Sequence, residues 1–206
     1  MAGTVQDIQS DIAFMKSLAS EGGRVPAQAG AHLFAAGLIY GVCLVIAWAG
    51  LEGYIEMSRG TAGAVALWAT VIYLPVMLWL FWRGRKTRLG GTAARAFVAA
   101  WGGIGLSSLT IVISLVVVGR AVHQTHLLSM AWPPVAFALY GGAWMGLTIA
   151  RGKGAWWLVA LGSYATAIGV AGLTGSNHEW LLFGVGLLAF VAAPGALLMW
   201  RARTQA

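Results

Sequence analysis

Charge is the scarcest property of this chain. Asp, Glu, Lys and Arg make up 9% of its 206 residues and hydrophobic residues 59%, whereas soluble domains carry about 25% charged residues. That balance excludes the soluble globular class. Acidic residues are scarcer still, six against thirteen basic, for a formal charge of +7. The basic residues cluster between apolar runs rather than on one folded face, so no nucleic-acid partner is expected. Cys43 is the single cysteine, which excludes an intrachain disulfide. A signal peptide needs a basic start and then an apolar core; Met1 to Gly30 holds Asp7, Asp11 and Glu21 instead, so the N-terminus is expected to be kept.

Several chemistries lack their residues. Six apolar runs, given below, contain no Asp, Glu, Lys or Arg, and their one histidine is His32 at the start of the first. A proton relay or a charge-paired substrate at the bilayer midplane would need such groups. Haem between helices needs axial ligands inside the runs, and a retinal Schiff base needs a buried lysine. No HExxH and no intramembrane Asp pair occurs, and no Ser or Cys nucleophile has a histidine at plausible depth. Gly84-Arg85-Lys86-Thr87 lacks the spaced glycine and preceding strand of a phosphate loop. A non-enzymatic protein with no cofactor is the expectation.

What the chain has is length without charge. The runs are Ala31–Gly50, Thr61–Trp82, Ala96–Val118, Leu127–Ala150, Ala155–Leu173 and Trp180–Trp200, of 19 to 24 residues each. A helix needs roughly 20 residues to cross the hydrocarbon. The spacing predicts an all-α bundle of six transmembrane helices over residues 31–206, preceded by a cytosolic helix and linker over residues 1–30. Taking alternate sides, one side holds Lys16, Arg24, the five basic residues of Arg83–Arg95, Arg151, Lys153, Arg201 and Arg203, eleven in all. The other holds Arg59 and Arg120. Positively charged loops stay in the cytoplasm, which puts both termini there.

Ahead of the bundle, Thr4 and Asp7 read as a capping box. Val5, Ile8, Ile12 and Met15 then form an apolar stripe that ends before Gly22-Gly23 and Pro26. Its polar face offers Asp7, Asp11 and Lys16 rather than a basic surface for anionic lipid, so the stripe points to protein contact, with its own bundle or with a cytosolic or membrane protein partner.

Within the bundle, Trp48, Trp82, Trp132, Trp156, Trp157, Trp180 and Trp200 fall near span ends and read as interfacial anchors. Gly37-Leu38-Ile39-Tyr40-Gly41 and Gly142-Ala143-Trp144-Met145-Gly146 are close-packing patterns, and Pro75, Pro133-Pro134 and Pro194 are expected kinks. Leu38-Ile39-Tyr40-Gly41 resembles Ala138-Leu139-Tyr140-Gly141, and Gly103-Ile104-Gly105-Leu106 resembles Gly184-Val185-Gly186-Leu187. Together these suggest a three-plus-three inverted repeat.

Two constellations could carry function. Tyr40, Tyr73, Tyr140 and Tyr164, with Ser107 and Ser108, share a depth near the midplane. They read either as an aromatic cavity for a small neutral or cationic solute or as interhelical hydrogen bonding. On the outer face His123, His126, His178 and Glu179, with Glu52 and Glu56 nearby, are candidate ligands for zinc or copper, or ordinary interfacial residues.

The segment Asp11-Ile12-Ala13-Phe14-Met15-Lys16-Ser17-Leu18-Ala19-Ser20-Glu21-Gly22 and the span after it resemble the opening of a group of uncharacterised small polytopic membrane proteins of bacteria. The resemblance implies a bacterial inner membrane and carries no activity across. In size and span count the chain is also similar to the substrate-binding subunits of energy-coupling-factor vitamin transporters, an architectural likeness only. The leading expectation is a membrane anchor or regulatory subunit docking a partner through the N-terminal helix. The alternatives are a small-solute permease or permease subunit using the tyrosines, and a periplasmic metal-responsive protein.

Overall fold

The computed structural model describes residues 27–84, 92–124, 126–151 and 154–204. The stripe of Val5, Ile8, Ile12 and Met15 lies outside these residues, as does the connection at 85–91. Each apolar run is helical: α1 is Ala27–Leu51, α2 Arg59–Gly84, α3 Thr92–Ala121, α4 Leu127–Arg151 and α5 Trp156–Gly172. The sixth rod is continuous, with α6 (His178–Leu187), a π-helical turn (Leu188–Ala192) and α7 (Ala193–Thr204). No strand occurs among the described residues. Glycine would weaken helices in water by about 1 kcal/mol each, but in hydrocarbon the helix satisfies its own backbone groups and has no solvated competitor.

Four rods are long and apolar enough to cross a membrane: Ala29–Leu51, Arg59–Gly84, Val98–Ala121 and His178–Thr204. α5, with 17 residues, is shorter. α4 has 25 residues, but Trp132, Pro133, Pro134, Tyr140, Trp144 and its glycines dilute its hydropathy. α4 is nevertheless central, supplying Ala136, Phe137, Ala143, Trp144 and Leu147 to the buried core.

The helices pack as two groups. α1 packs on α2 and along the whole sixth rod, α4 packs on α3 and α5, and α5 joins the groups through α6 and the π turn. α2 and α3, consecutive in the chain, make no substantial contact with each other. In the apolar windows of both, 6% of residues are buried, against 33% for α1 and 44% for the sixth rod.

Glycine makes the seam between α1 and the sixth rod. A Cβ on Gly37 would run into the Ala192 backbone, one on Gly195 would lie 2.5 Å from the Phe34 nitrogen, and one on Gly41 would lie 2.7 Å from Leu188 Cγ. The first close-packing pattern is therefore a backbone-to-backbone contact. The second is not used as the sequence suggests, since a Cβ on Gly146 would meet nothing within 4 Å. The tight position on α4 is Gly141, where a Cβ would lie 2.7 Å from the Tyr164 ring.

Two further expectations change. Trp156 is no lipid-facing anchor: it is buried, stacked on Trp144 at 5.4 Å and an interplanar angle of 7°. Trp82, Trp157 and Trp200 are exposed, as anchors should be. Around Pro194 the helix widens into the π turn. A proline at 194 has no N–H for the carbonyl four residues back, that of Phe190, and the Trp144 indole N–H donates to this carbonyl at 2.9 Å. A side chain on another helix thus meets the acceptor that the proline leaves.

Candidate functional site

Two of the four midspan tyrosines meet directly, and a third lies among the aromatic rings of the neighbouring helix group. Tyr40 of α1 donates its hydroxyl proton to Thr70 Oγ1 of α2 at 3.0 Å. Its ring lies 5.6 Å from that of Tyr73, tilted by 60°. Tyr140 of α4 makes its ring contacts within the other helix group. Trp101 of α3 stacks on Tyr140 at 5.9 Å, and Phe137 meets the same ring edge-on at 5.9 Å.

Each side chain is placed by its helix. On α2, Ala62, Ala69 and Tyr73 recur near a heptad spacing, with the two alanines buried and Tyr73 half-buried, while Leu67, Trp68, Val71 and Ile72 are exposed. Small alanines bring the helix close to α1 and leave width for the two tyrosine rings. On α3, Trp101, Ile104, Ser108 and Val112 are half-buried at spacings of three and four, giving the single stripe turned to α4.

Tyr164 is not part of this cluster. Its ring lies over Gly141, on the side of α4 that meets α5. Ser107 is exposed on α3 and Ser108 half-buried, and the bonds and ring contacts that join the tyrosines include neither. Thr70, Trp101 and Phe137 enter the site without having been singled out in the sequence. Thr70 stands three residues before Tyr73 and Phe137 three before Tyr140, so each shares a helix face with its tyrosine. That spacing was the available signal.

The hydroxyls divide into two kinds. Buried Ser163 and Thr166 donate back to Val159 and Gly162 carbonyls at 2.8 and 2.7 Å, and Thr148 to Trp144 at 2.9 Å, each within its own helix. Among the described residues the Tyr73 and Tyr140 hydroxyls have no hydrogen-bond partner, only ring and electrostatic neighbours. These are donors held at midspan and left unused.

From the tyrosines an aromatic column continues through α4. Trp101 meets Trp144 edge-on at 5.2 Å, Trp144 stacks on Trp156, and the Arg201 guanidinium lies 5.6 Å above the Trp156 ring. In the other direction Phe137 meets Phe183 at 5.6 Å. Such contacts hold the walls of the cluster in fixed orientations.

The candidate metal ligands are less concentrated. His178 Nδ1 lies 4.0 Å from Glu52 Oε1, joining the α1–α2 and α5–α6 connections. Glu179 accepts the Gly175 N–H at 3.1 Å, which closes its own loop. His123, with φ 56°, and His126 are exposed in the α3–α4 connection, and Glu56 is exposed. Among the described residues no three His, Cys, Asp or Glu side chains are grouped to hold a metal ion. No protein-family model, no curated protein and no solved structure matches this chain.

Proposed function

We propose that the chain is a six-span protein of a bacterial inner membrane, with both termini cytoplasmic, and that Tyr40, Tyr73 and Tyr140 form the binding station of a small-solute permease or permease subunit. The observation that carries this reading is the meeting of Tyr40 and Tyr73 at midspan, together with Tyr73 and Tyr140 hydroxyls that have no hydrogen-bond partner among the described residues. If the tyrosines served only to tie helices together, those protons would be spent on neighbouring carbonyls, as the buried Ser and Thr protons are. The six-span count draws on the charge asymmetry and on six helical rods, of which four have clear spanning character.

The inverted repeat belongs to the same proposal. In its favour, α1 pairs with α2 as α4 does with α5, and α1 pairs with the sixth rod as α4 does with α3. Against it, α5 meets the sixth rod while α2 and α3 make no substantial contact, and Tyr40 meets a tilted Tyr73 ring where Tyr140 stacks on Trp101. The test is flux in liposomes holding the purified protein, over a panel of radiolabelled small neutral and cationic solutes. A saturable flux lost in Tyr40→Phe with Tyr140→Phe is the expected result; no flux above empty liposomes for any solute refutes the permease reading.

A docking role for the N-terminal helix remains a second proposal, supported by the Val5, Ile8, Ile12 and Met15 stripe of the sequence. Crosslinking in native membranes tests it: a partner captured by wild type and lost in Ile8→Asp with Ile12→Asp is expected, and equal capture by both proteins refutes it.

A further inference from the structure

The seam between α1 and the sixth rod closes by two different chemistries. Along the span it is backbone against backbone at Gly37, Gly184 and Gly195. Where α1 stops and α6 begins it is polar. The Leu51 carbonyl, one of the acceptors that a helix C-terminus leaves over, takes a long hydrogen bond from Asn177 Nδ2 at 3.5 Å. His178 Nδ1 lies 4.0 Å from Glu52 Oε1, and the imidazole lies 6.5 Å from the Trp48 ring. We propose that Glu52, His178 and the Trp48 ring form a proton-operated clasp: a protonated His178 draws the start of α6 onto the end of α1, and a neutral His178 releases it. The clasp stands independently of the tyrosine station.

Distance makes this contact depend on charge. At 4.0 Å a neutral imidazole and a carboxylate share no hydrogen bond, whereas opposite charges still attract at that separation. A charged ring also gains from the Trp48 face and from the carbonyls at the C-terminus of α1. Histidine as a residue type changes charge between about pH 5 and 8, where carboxylates stay ionised. The His178 side chain is 60% exposed and exchanges protons with bulk water, while Glu52, at 27%, is less screened. Among the described residues no third His, Cys, Asp or Glu side chain joins the pair to hold a metal ion.

The neighbouring elements supply no competing cation. α1 brings Glu52 and Trp48; the connection to α2 brings Tyr54, packed on Trp48 at 5.4 Å, and the exposed Glu56, with Arg59 only at the start of α2. α5 and the connection that follows it, residues 156–177, hold no charged residue. On α6 itself Glu179 accepts the Gly175 N–H at 3.1 Å. One effect opposes the clasp: His178 is the first residue of α6, and a helix N-terminus disfavours positive charge. The sign follows. The clasp strengthens as pH falls through the histidine range, is lost as pH rises through it, and is lost again in stronger acid once Glu52 is neutralised. Because α5 joins the two helix groups through α6, the proton acts at one end of that junction.

The test is a double-mutant cycle of Glu52→Gln and His178→Gln on the full chain in bicelles, read as the unfolding equilibrium constant at about pH 6 and about pH 8.5, either side of histidine's usual range. Beside it, an NMR titration of histidine-labelled protein follows the His178 imidazole, identified by its loss in His178→Gln. A coupling of roughly two- to fivefold at the lower pH, the range of exposed ion pairs, and none at the higher pH is expected. Glu52→Gln should move the His178 titration to lower pH, and Glu56→Gln should leave it in place. Coupling of equal size at both pH values would mark a contact between neutral groups and overturn the inference, as would no coupling at the lower pH. A His178 titration unmoved in Glu52→Gln overturns it from the folded protein alone. So does a Glu179→Gln shift as large as that of Glu52→Gln, which would place the proton's partner within α6 rather than across the seam.

Discussion

Replacing Trp144 with Phe isolates the bond that holds the sixth rod to α4. The variant keeps a ring between Trp101 and Trp156 but removes the indole N–H that donates to the Phe190 carbonyl at 2.9 Å. Trp144 is fully buried, so the exchange leaves a void as well as an unmet acceptor. An acceptor stranded in an apolar interior costs about 1–3 kcal/mol, and the lost ring volume brings the expected destabilisation to roughly 2–4 kcal/mol. Pro194→Ala restores an N–H that an α-helical turn would aim at the same carbonyl. Alone it should change stability little, because Trp144 already serves Phe190. In the Trp144→Phe background it should recover about 1–2 kcal/mol, since the backbone then supplies the missing donor. The assay is a double-mutant cycle on reversible unfolding in bicelles, by steric trapping or denaturing detergent. Additivity within about 0.5 kcal/mol would refute the coupling. The freed carbonyl would then be satisfied within the π turn, with the indole bond incidental to it.

Three other perturbations bear on the packing and the site. Gly37→Ala should destabilise by about 1–3 kcal/mol, because its Cβ meets the Ala192 backbone, whereas Gly146→Ala should be neutral or stabilising by up to about 1 kcal/mol; the same unfolding assay ranks them. Tyr40→Phe breaks the bond to Thr70 and should cost about 0.6 kcal/mol, a typical interhelical hydrogen bond in a membrane, while Tyr140→Phe should cost nothing in stability. A larger loss for Tyr140→Phe would mean that its hydroxyl is structural. Arg201→Gln should cost roughly 0.5–2 kcal/mol through the lost contact with the Trp156 face, read from melting of the purified protein.

The helical plan was legible because it depends on long-range composition: every run free of charged side chains became a helix, with ends displaced by only a few residues. The site was legible in part. Tyr40, Tyr73 and Tyr140 could be placed at one depth by counting along their spans, and depth is shared by neighbours and strangers alike. Rotation about the helix axis decides which side chains meet. Tyr164 has the right depth and faces Gly141; Ser107 and Ser108 are adjacent in sequence and differ in exposure. The hydroxyl that does join the cluster, that of Thr70, lies on the same helix as Tyr73, where the expectation had placed the partner on the third span. The Gly142–Gly146 pattern failed for the same reason, since the residue one position earlier carries the contact.

Rotation is hard to read here because hydrophobicity loses its usual meaning. In water an apolar face marks the inside of a protein, whereas in a bilayer lipid tails and protein interior are equally apolar. Ala29–Leu51 and Val98–Ala121 have the same mean hydropathy of 2.1, yet 33% of the first window is buried and 6% of the second. What separates inner from outer helices is the set of features that lipid tolerates poorly. α1 and the sixth rod present glycine to each other, and α4 turns the Trp144 indole N–H to the sixth rod. By that criterion Tyr73 and Tyr140 are anomalous, because their rings are half-buried against other aromatics and yet their hydroxyls have no hydrogen-bond partner among the described residues. A bundle that meets the freed Phe190 carbonyl from a neighbouring helix leaves two phenols at midspan without a partner among the described residues, and that contrast supports placing the proposed solute there.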